Sequence, residues 1–233
     1  MARFGYDGKG QVRVATKVEA IAAFMAFKSE QCILERRLTL DYEVSVVLAR
    51  DFVGNIAAFP TVENAHRDGI LDISIAPARC SVAINEQAQT LARRVAEKLG
   101  YVGTLAVEFF VCDGSLYVNE MAPRPHNSGH FTIDACVTNQ FEQQVRALCG
   151  LPLGDPRLHS KAVMVNLLGD VWPEGNEPDW RVLFSQSNLK LHLYGKHEAR
   201  PGRKMGHFTV LGNEADEVLK SALDARLKIG IEK

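Results

Sequence analysis

The sequence predicts an α+β fold on three observations. Two apolar, aromatic runs flanking Cys112-Asp113-Gly114-Ser115 read as a β-hairpin with an Asp-Gly turn. Asn85–Leu99 is amphipathic at helical spacing and is closed by Gly100, a natural C-cap. Ile133–Leu148 reads as a second helix, stopped by Gly150.

The other elements follow in chain order. Met1–Phe4 leads at once into Gly5-Tyr6-Asp7-Gly8-Lys9-Gly10-Gln11. Glycines at 5, 8 and 10 allow a tight turn whose backbone N–H groups point at phosphate oxygens, helped by Lys9; a plain hairpin turn explains the run equally well. The spacing is neither the dinucleotide fingerprint nor a P-loop. Gln11–Ala15 is expected as a short strand, Val18–Phe27 as a helix (Ile21, Phe24 and Met25 at helical spacing), and Cys32–Glu35 as a strand. This unit is too short to be independent and reads as the tail of a larger one. Tyr42–Ala49 and Asn55–Phe59 are expected as central strands, Asn64–Leu71 as a polar loop, and Asp72–Ile75 as extended. Leu151–Pro156 is the linker candidate. Beyond it come strands at Ala162–Leu168 and Lys190–Tyr194, a basic turn at Gly195–His207, and a final helix, Asn213–Ile229.

Composition narrows the function classes. The 233 residues are 46% apolar and 24% charged with a net charge of −1, ordinary for a globular protein. That balance makes no global case for nucleic acid or a membrane surface, and no run approaches transmembrane length. Cys32, Cys80, Cys112, Cys136 and Cys149 have no zinc-type spacing and read as reduced core thiols of a cytoplasmic protein.

Glu108 and Glu120 carry the chemistry of the hairpin, one carboxylate on each strand among residues expected to be buried. A three-residue loop at 113–115 places them directly opposite on one face, roughly 5 Å apart. A two-residue Asp113-Gly114 turn instead pairs Glu108 with Asn119 and sends Glu120 to the other face. The first register suits a hard cation such as Mg²⁺, held by one or two carboxylates plus substrate phosphates; the second leaves two glutamates at strand edges. Met121–His130 follows, with two prolines, an arginine, two histidines and an amide in a stiff loop suited to an anion. Lys196, Arg200, Arg203 and Lys204 gather around Pro201-Gly202, a match for one phosphate monoester as well as for a solvated basic turn.

These residues carry a resemblance. GYDGKGQ, ILER, DYEVSV, NAHRDGIL, VEFFV, LYVNEMAPRPHNSGH, LPLGDP and YGKHEARPGRKMGH stand in this order along the whole chain. They resemble the 5-(carboxyamino)imidazole ribonucleotide synthase family of the ATP-grasp superfamily. The resemblance implies ATP- and bicarbonate-dependent carboxylation of the 5-amino group of 5-aminoimidazole ribonucleotide, through carboxyphosphate, in purine synthesis. It implies that Gly5, Tyr6, Asp7, Gly8, Lys9, Gly10 and Gln11 form the loop over the nucleotide phosphates. Glu35, Arg36, Arg37 and Leu38 would form the hinge at adenine, Glu43 would bind the ribose, and His66 would be a further nucleotide contact. Glu108 and Glu120 would hold Mg²⁺, or Mn²⁺ in its place, with Asn119 in the same site. Arg124, His126 and Asn127 would grip bicarbonate and carboxyphosphate. Tyr6 and Asp7 would reach the imidazole ribonucleotide, and Lys196, Arg203 and Lys204 its phosphate.

The implied domains are a lid-lobe remainder at 1–40, an ATP-grasp C-terminal lobe at 41–155 and a β-rich C-terminal domain at 156–233. Many ATP-grasp enzymes place an asparagine two residues after the second metal glutamate; here Ala122 stands there, so the metal shell is expected to lean on water and phosphates. The family carries an N-terminal α/β domain and a phosphate-binding lysine ahead of this sequence. The chain is therefore expected to be a truncated copy that is inactive alone and dimeric when full length. Two alternatives are an ATP-grasp ligase with another acceptor, which the pairing of RPHNSGH with RPGRK disfavours, and a fragment with at most weak nucleotide binding.

Overall fold

The computed structural model describes residues 10–28, 31–173 and 176–231. The chain divides into two compact units, Met1–Thr39 with His66–Ile70, and Leu40–Ala65 with Leu71–Lys233. In the first unit α1 (Lys17–Ala26) begins where Thr16 Oγ1 accepts the Glu19 N–H at 3.2 Å. The Glu19 carboxylate reaches back to the Ala15 N–H at 2.6 Å, closing the first turn from both sides. The strands expected at Gln11–Ala15 and Cys32–Glu35 are not formed; both segments are irregular and largely exposed. Among the described residues neither segment pairs with a strand of the sheet.

The remaining elements are β1 (Tyr42–Arg50), β2 (Ile56–Ala58), β3 (Val62–Arg67), β4 (Ile70–Ala76), α2 (Val82–Leu99), β5 (Gly103–Cys112), β6 (Ser115–Ala122), α3 (Thr132–Ala135), α4 (Gln140–Leu148), β7 (Lys161–Leu168), α5 (Arg181–Phe184), β8 (Leu189–Leu193), β9 (Lys204–Gly212) and α6 (Ala215–Lys228). The strands form one sheet in the order β6-β5-β1-β3-β4-β7-β9-β8, with β2 joined to β1 off this path.

Alternation along the strands separates two faces. On one, α2 packs Ile84, Ala88, Ala92 and Ala96 against Val44, Val46, Leu48, Leu105, Val107 and Phe109. Its buried stripe repeats every four residues and is mostly alanine, so the helix lies close to the sheet. Further along, α6 packs Val218, Ala222 and Ala225 against Val163, Val165, Phe208 and Val210. Each fully buried Val, Leu or Phe contributes about 1.5–3 kcal/mol. The opposite face holds Val47, Ala106 and Met164 under Phe131 and Ala135. Directly opposed residues share a face, so the register of β1, β5 and β6 puts Glu43, Ser45, Glu108 and Glu120 on this second side, away from α2.

Several expectations are corrected. Asn64–Leu71 is not a loop but the β3–β4 connection, with Asp68 (φ 52°) and Gly69 (φ 77°) as the turn. This is the same Asp-Gly signal that marks the turn at 113–114. Asn55–Phe59 is not a central strand; Ile56–Ala58 forms a short strand off the main path, paired with the end of β1. The helix expected over Ile133–Leu148 is broken. Cys136 is extended and bridges Leu158, while the N–H groups of Val137 and Thr138 donate to Arg157 and Asp155. Asn139 then caps α4, its Oδ1 accepting from Phe141 and Glu142 at 3.0 and 2.9 Å. Lys204–His207 belongs to β9 rather than to the basic turn. Only Cys112 and Cys136 of the cysteines are buried; Cys32 and Cys149 are exposed.

Candidate functional site

The β5–β6 hairpin settles its register in a way neither sequence alternative described. Cys112 pairs with Ser115 across a two-residue turn, Asp113 and Gly114 both having positive φ (48° and 68°). Uninterrupted, that turn would oppose Glu108 to Asn119. A bulge intervenes: Phe109 opposes Val118, but Glu108 opposes Glu120, and Asn119 is the extra residue. Glu108 is buried at 7% exposure, whereas Asn119 and Glu120 are exposed.

His126 joins the two carboxylates. The ligand-capable atoms of Glu108, Glu120 and His126 lie within 4.8 Å of one another, and His126 Nδ1 is 3.6 Å from Glu108 Oε1. The same Nδ1 lies 2.9 Å from Ser128 Oγ, which directs the ring's hydrogen bonding into its own loop. Two neighbouring carboxylates, one buried, are a donor set suited to a hard divalent cation, and the imidazole is the less suited member. The residues fit Mg²⁺.

The loop after β6 is held from outside itself. Gln140, 0% exposed at the start of α4, accepts the His126 N–H at 2.8 Å and donates to the His126 carbonyl at 2.7 Å. Its Nε2 also lies 2.9 Å from His130 Nδ1. A Cβ at Gly129 would come within 2.5 Å of Gln140 Oε1, so a side chain here would displace the amide that holds the loop. Asn127 forms a reciprocal amide pair with buried Asn166 of β7, at 2.9 and 2.7 Å, and Asn166 also donates to the Leu71 carbonyl at 2.6 Å. A third buried group, Ser45–Asn64–Ser74, links β1, β3 and β4 through two 2.8 Å bonds. Arg124 is exposed, and among the described residues its guanidinium donates once, to the Pro125 carbonyl at 3.1 Å, which leaves most of its N–H fork for other acceptors.

The basic turn is anchored on the segment after β7. The Gly169 N–H donates to Arg203 O at 2.8 Å, and the Gly202 N–H to Asp170 Oδ2 at 2.8 Å. Lys196 Nζ donates to Lys204 O at 2.5 Å and lies 5.4 Å from the centre of the Tyr194 ring. Burial, then Arg203 and Lys204, pull the Lys196 ammonium below its ordinary pKa. Burial pushes His130 down to about 4, followed by the charges of Lys204, His192 and Arg124, so the anion loop and the basic turn share one electrostatic neighbourhood.

Placement of the other predicted residues is mixed. Glu43 opposes Phe110 and Asn64 on the site face. Gly5, Tyr6, Asp7, Gly8 and Lys9 lie outside the described residues. Gly10 is in a positive-φ turn, and Gln11, Glu35, Arg36 and Arg37 are exposed with Leu38 half-buried, all in the first unit together with His66. Sequence reasoning missed Gln140, Asn166, Asn64 and the Tyr194–His207 contact. The available signal was a polar residue at an inward position of an apolar strand, as with Asn166 in AVMVNLL.

Known proteins resemble the chain along most of its length. Residues 1–141 match the ATP-grasp domain, and residues 162–221 the phosphoribosylaminoimidazole carboxylase C-terminal domain. The chain is 50% identical over 210 residues to N5-carboxyaminoimidazole ribonucleotide synthase of Brucella melitensis, covering 89% of this chain and 57% of that protein. The crystal structure of the synthetase from Thermus thermophilus superposes with a TM-score of 0.88 at 41% identity, covering 97% of this chain and 61% of that one. The Aspergillus clavatus synthase in complex with ADP and 5-aminoimidazole ribonucleotide gives a TM-score of 0.86 at 32% identity, covering 95% and 60%. The chain thus spans a little over half the length of the relatives it matches. Among the described residues no helix is long and apolar enough to cross a membrane.

Proposed function

Since the chain belongs to the ATP-grasp family, in its N5-carboxyaminoimidazole ribonucleotide synthase branch, we propose that it carries the phosphate- and carboxylate-handling half of an ATP-dependent carboxylation of 5-aminoimidazole ribonucleotide. The observation that supports this most is the alignment of Glu108 with Glu120 beside His126, achieved only through the bulge at Asn119. Glu108 and Glu120 would hold Mg²⁺, whose charge neutralises the nucleotide phosphates when bound. Arg124 offers its guanidinium to the bicarbonate-derived anion, where a positioned donor stabilises developing negative charge. The His126 ring is oriented by Ser128 Oγ and its backbone is held by Gln140, so the residue is set before ligand arrives. The Asn127 amide is oriented by Asn166, and Lys196, Arg203 and Lys204 meet the phosphate of the ribonucleotide. The free thiols fit a cytoplasmic setting, and the homodimer is part of the same proposal.

The test supplies ¹³C-bicarbonate, ATP, Mg²⁺ and 5-aminoimidazole ribonucleotide to the protein. The expected result is a carbamate ¹³C signal that Glu120→Gln abolishes. Turnover unaffected by that substitution would overturn the metal assignment.

A further inference from the structure

On the site face of β8 and β9, His192 and His207 are paired in register and stack with centroids 4.6 Å apart and planes at 17°. Asp134, His192 and His207 offer ligand atoms within 4.8 Å of one another, which invites a metal centre. The stack argues against one. An imidazole binds a metal in its own plane, and two stacked, nearly parallel rings have no common in-plane point. His192 Nε2 is instead bonded to Asp134 Oδ2 at 2.8 Å.

His207 is 1% exposed, and its Nδ1 lies 2.8 Å from the Tyr194 hydroxyl, while among the described residues its Nε2 has no hydrogen-bond partner. The ring therefore commits its polar contact to one phenol. Tyr194 in turn lies under the Lys196 ammonium, which is 5.4 Å from its ring centre. Lys196 is crowded by Arg203 and Lys204, so beside its bond to the Lys204 carbonyl the ring face beneath it is the second contact that keeps the ammonium from turning out into solvent.

We propose that His207 and Tyr194 are positioning residues for phosphate recognition: His207 fixes the Tyr194 phenol, and the ring face of that phenol holds Lys196 at the basic turn. The proposal rests on the assignment of Lys196, Arg203 and Lys204 to a phosphate. Proton positions follow from burial. Tyr194 is pushed well above the ordinary phenol range and so keeps its proton, donating its O–H, while His207 is pushed down to about 2 and accepts at Nδ1 as a neutral ring. The pair adds no charge of its own beneath the cations. Stacking on His192 and contact with the His130 ring, 5.0 Å away, keep the imidazole from rotating.

The purified chain, with inorganic phosphate as the probe, supplies the test. Tyr194→Phe keeps the ring and loses the hydroxyl, His207→Gln loses the acceptor ring, and Lys196→Ala reports on the phosphate assignment itself. Tyr194→Phe and His207→Gln should each weaken phosphate binding by roughly threefold to tenfold, the range of one lost buried hydrogen bond. In both variants the Lys196 ammonium, followed by NMR of ¹³Cε-labelled lysine, should titrate at higher pH as it regains water and leaves its cationic neighbours. This second readout needs no phosphate and decides the case if the anion binds too weakly or if His207→Gln alone fails to fold. Unchanged phosphate affinity and an unmoved Lys196 titration in Tyr194→Phe would overturn the positioning role. If Lys196→Ala also leaves phosphate binding intact, the assignment of the turn to a phosphate fails, and the proposal with it.

Discussion

Replacing Gln140 by methionine tests how the anion loop is held. Methionine keeps the volume, so little cavity cost enters. The side-chain amide makes three contacts: from the His126 N–H at 2.8 Å, to the His126 carbonyl at 2.7 Å, and with His130 Nδ1 at 2.9 Å. Each loses its partner in Gln140→Met. An unpartnered buried polar group costs about 1–3 kcal/mol. His126 and His130 keep some access to water, so the low end applies and the sum is about 3 kcal/mol. For a unit of this size that lowers the unfolding midpoint by roughly 6–12 °C. Urea denaturation gives the global value. Hydrogen exchange at the His126 amide gives the local one, and protection there should fall more than in β1 or β5. A loss under about 1 kcal/mol, with the His126 amide still protected, would refute the view that Gln140 holds the loop.

Other perturbations separate further parts of the argument. Arg226 Nη2 meets Asp72 Oδ2 at 2.7 Å with side-chain exposures of 7% and 15%, so Arg226→Met should cost about 3–5 kcal/mol by stranding the carboxylate, and adding Asp72→Leu should recover most of it in the same urea assay. Folded His130 and His207 bind fewer protons than their unfolded forms, because burial pushes them to about 4 and about 2. Stability should therefore be full above about pH 7 and fall as pH drops through about 6.5, by roughly 2 kcal/mol for each histidine at pH 5; His207→Gln should flatten the profile. A Cβ at Gly169 would come within 2.2 Å of Arg200 O, so Gly169→Ala should displace the basic turn and weaken phosphate binding, with ¹⁵N shift changes confined to 195–204 and 169–172.

What was legible in the sequence was what local chemistry determines. The α2 stripe and its Gly100 cap, the Asp-Gly turn at 113–114, and the crowding of charge at 124–130 and 196–204 all lie within a few residues of their causes. The rest depends on distant partners. Gln140 looks like one polar residue inside a helix until His126, 14 residues away, is placed against it, and Asn166 bonds a carbonyl 95 residues distant. The break between α3 and α4 arises from pairing with 155–158, which leaves Asn139 to cap α4. The start of β9 was hidden because its first residues continue a basic, glycine-bearing run that reads as turn.

The bulge at Asn119 also decides how the metal site can be interrogated. Ironed flat, the hairpin would carry Glu120 round to the side where Leu116 and Val107 pack with α2. A carboxylate there would cost several kcal/mol, so the charge of Glu120 itself helps choose between two hairpin alignments. An apolar replacement removes that choice. Glu120→Leu would be as comfortable in the flat alignment as in the bulged one, and the strand could slip by one residue, taking Met121 and the approach to Arg124 with it. Loss of activity in such a variant would report a moved strand as much as a missing ligand. Glutamine, still averse to the apolar side, keeps the alignment and isolates the ligand; an amide swap is informative at this position where a hydrophobic one is not.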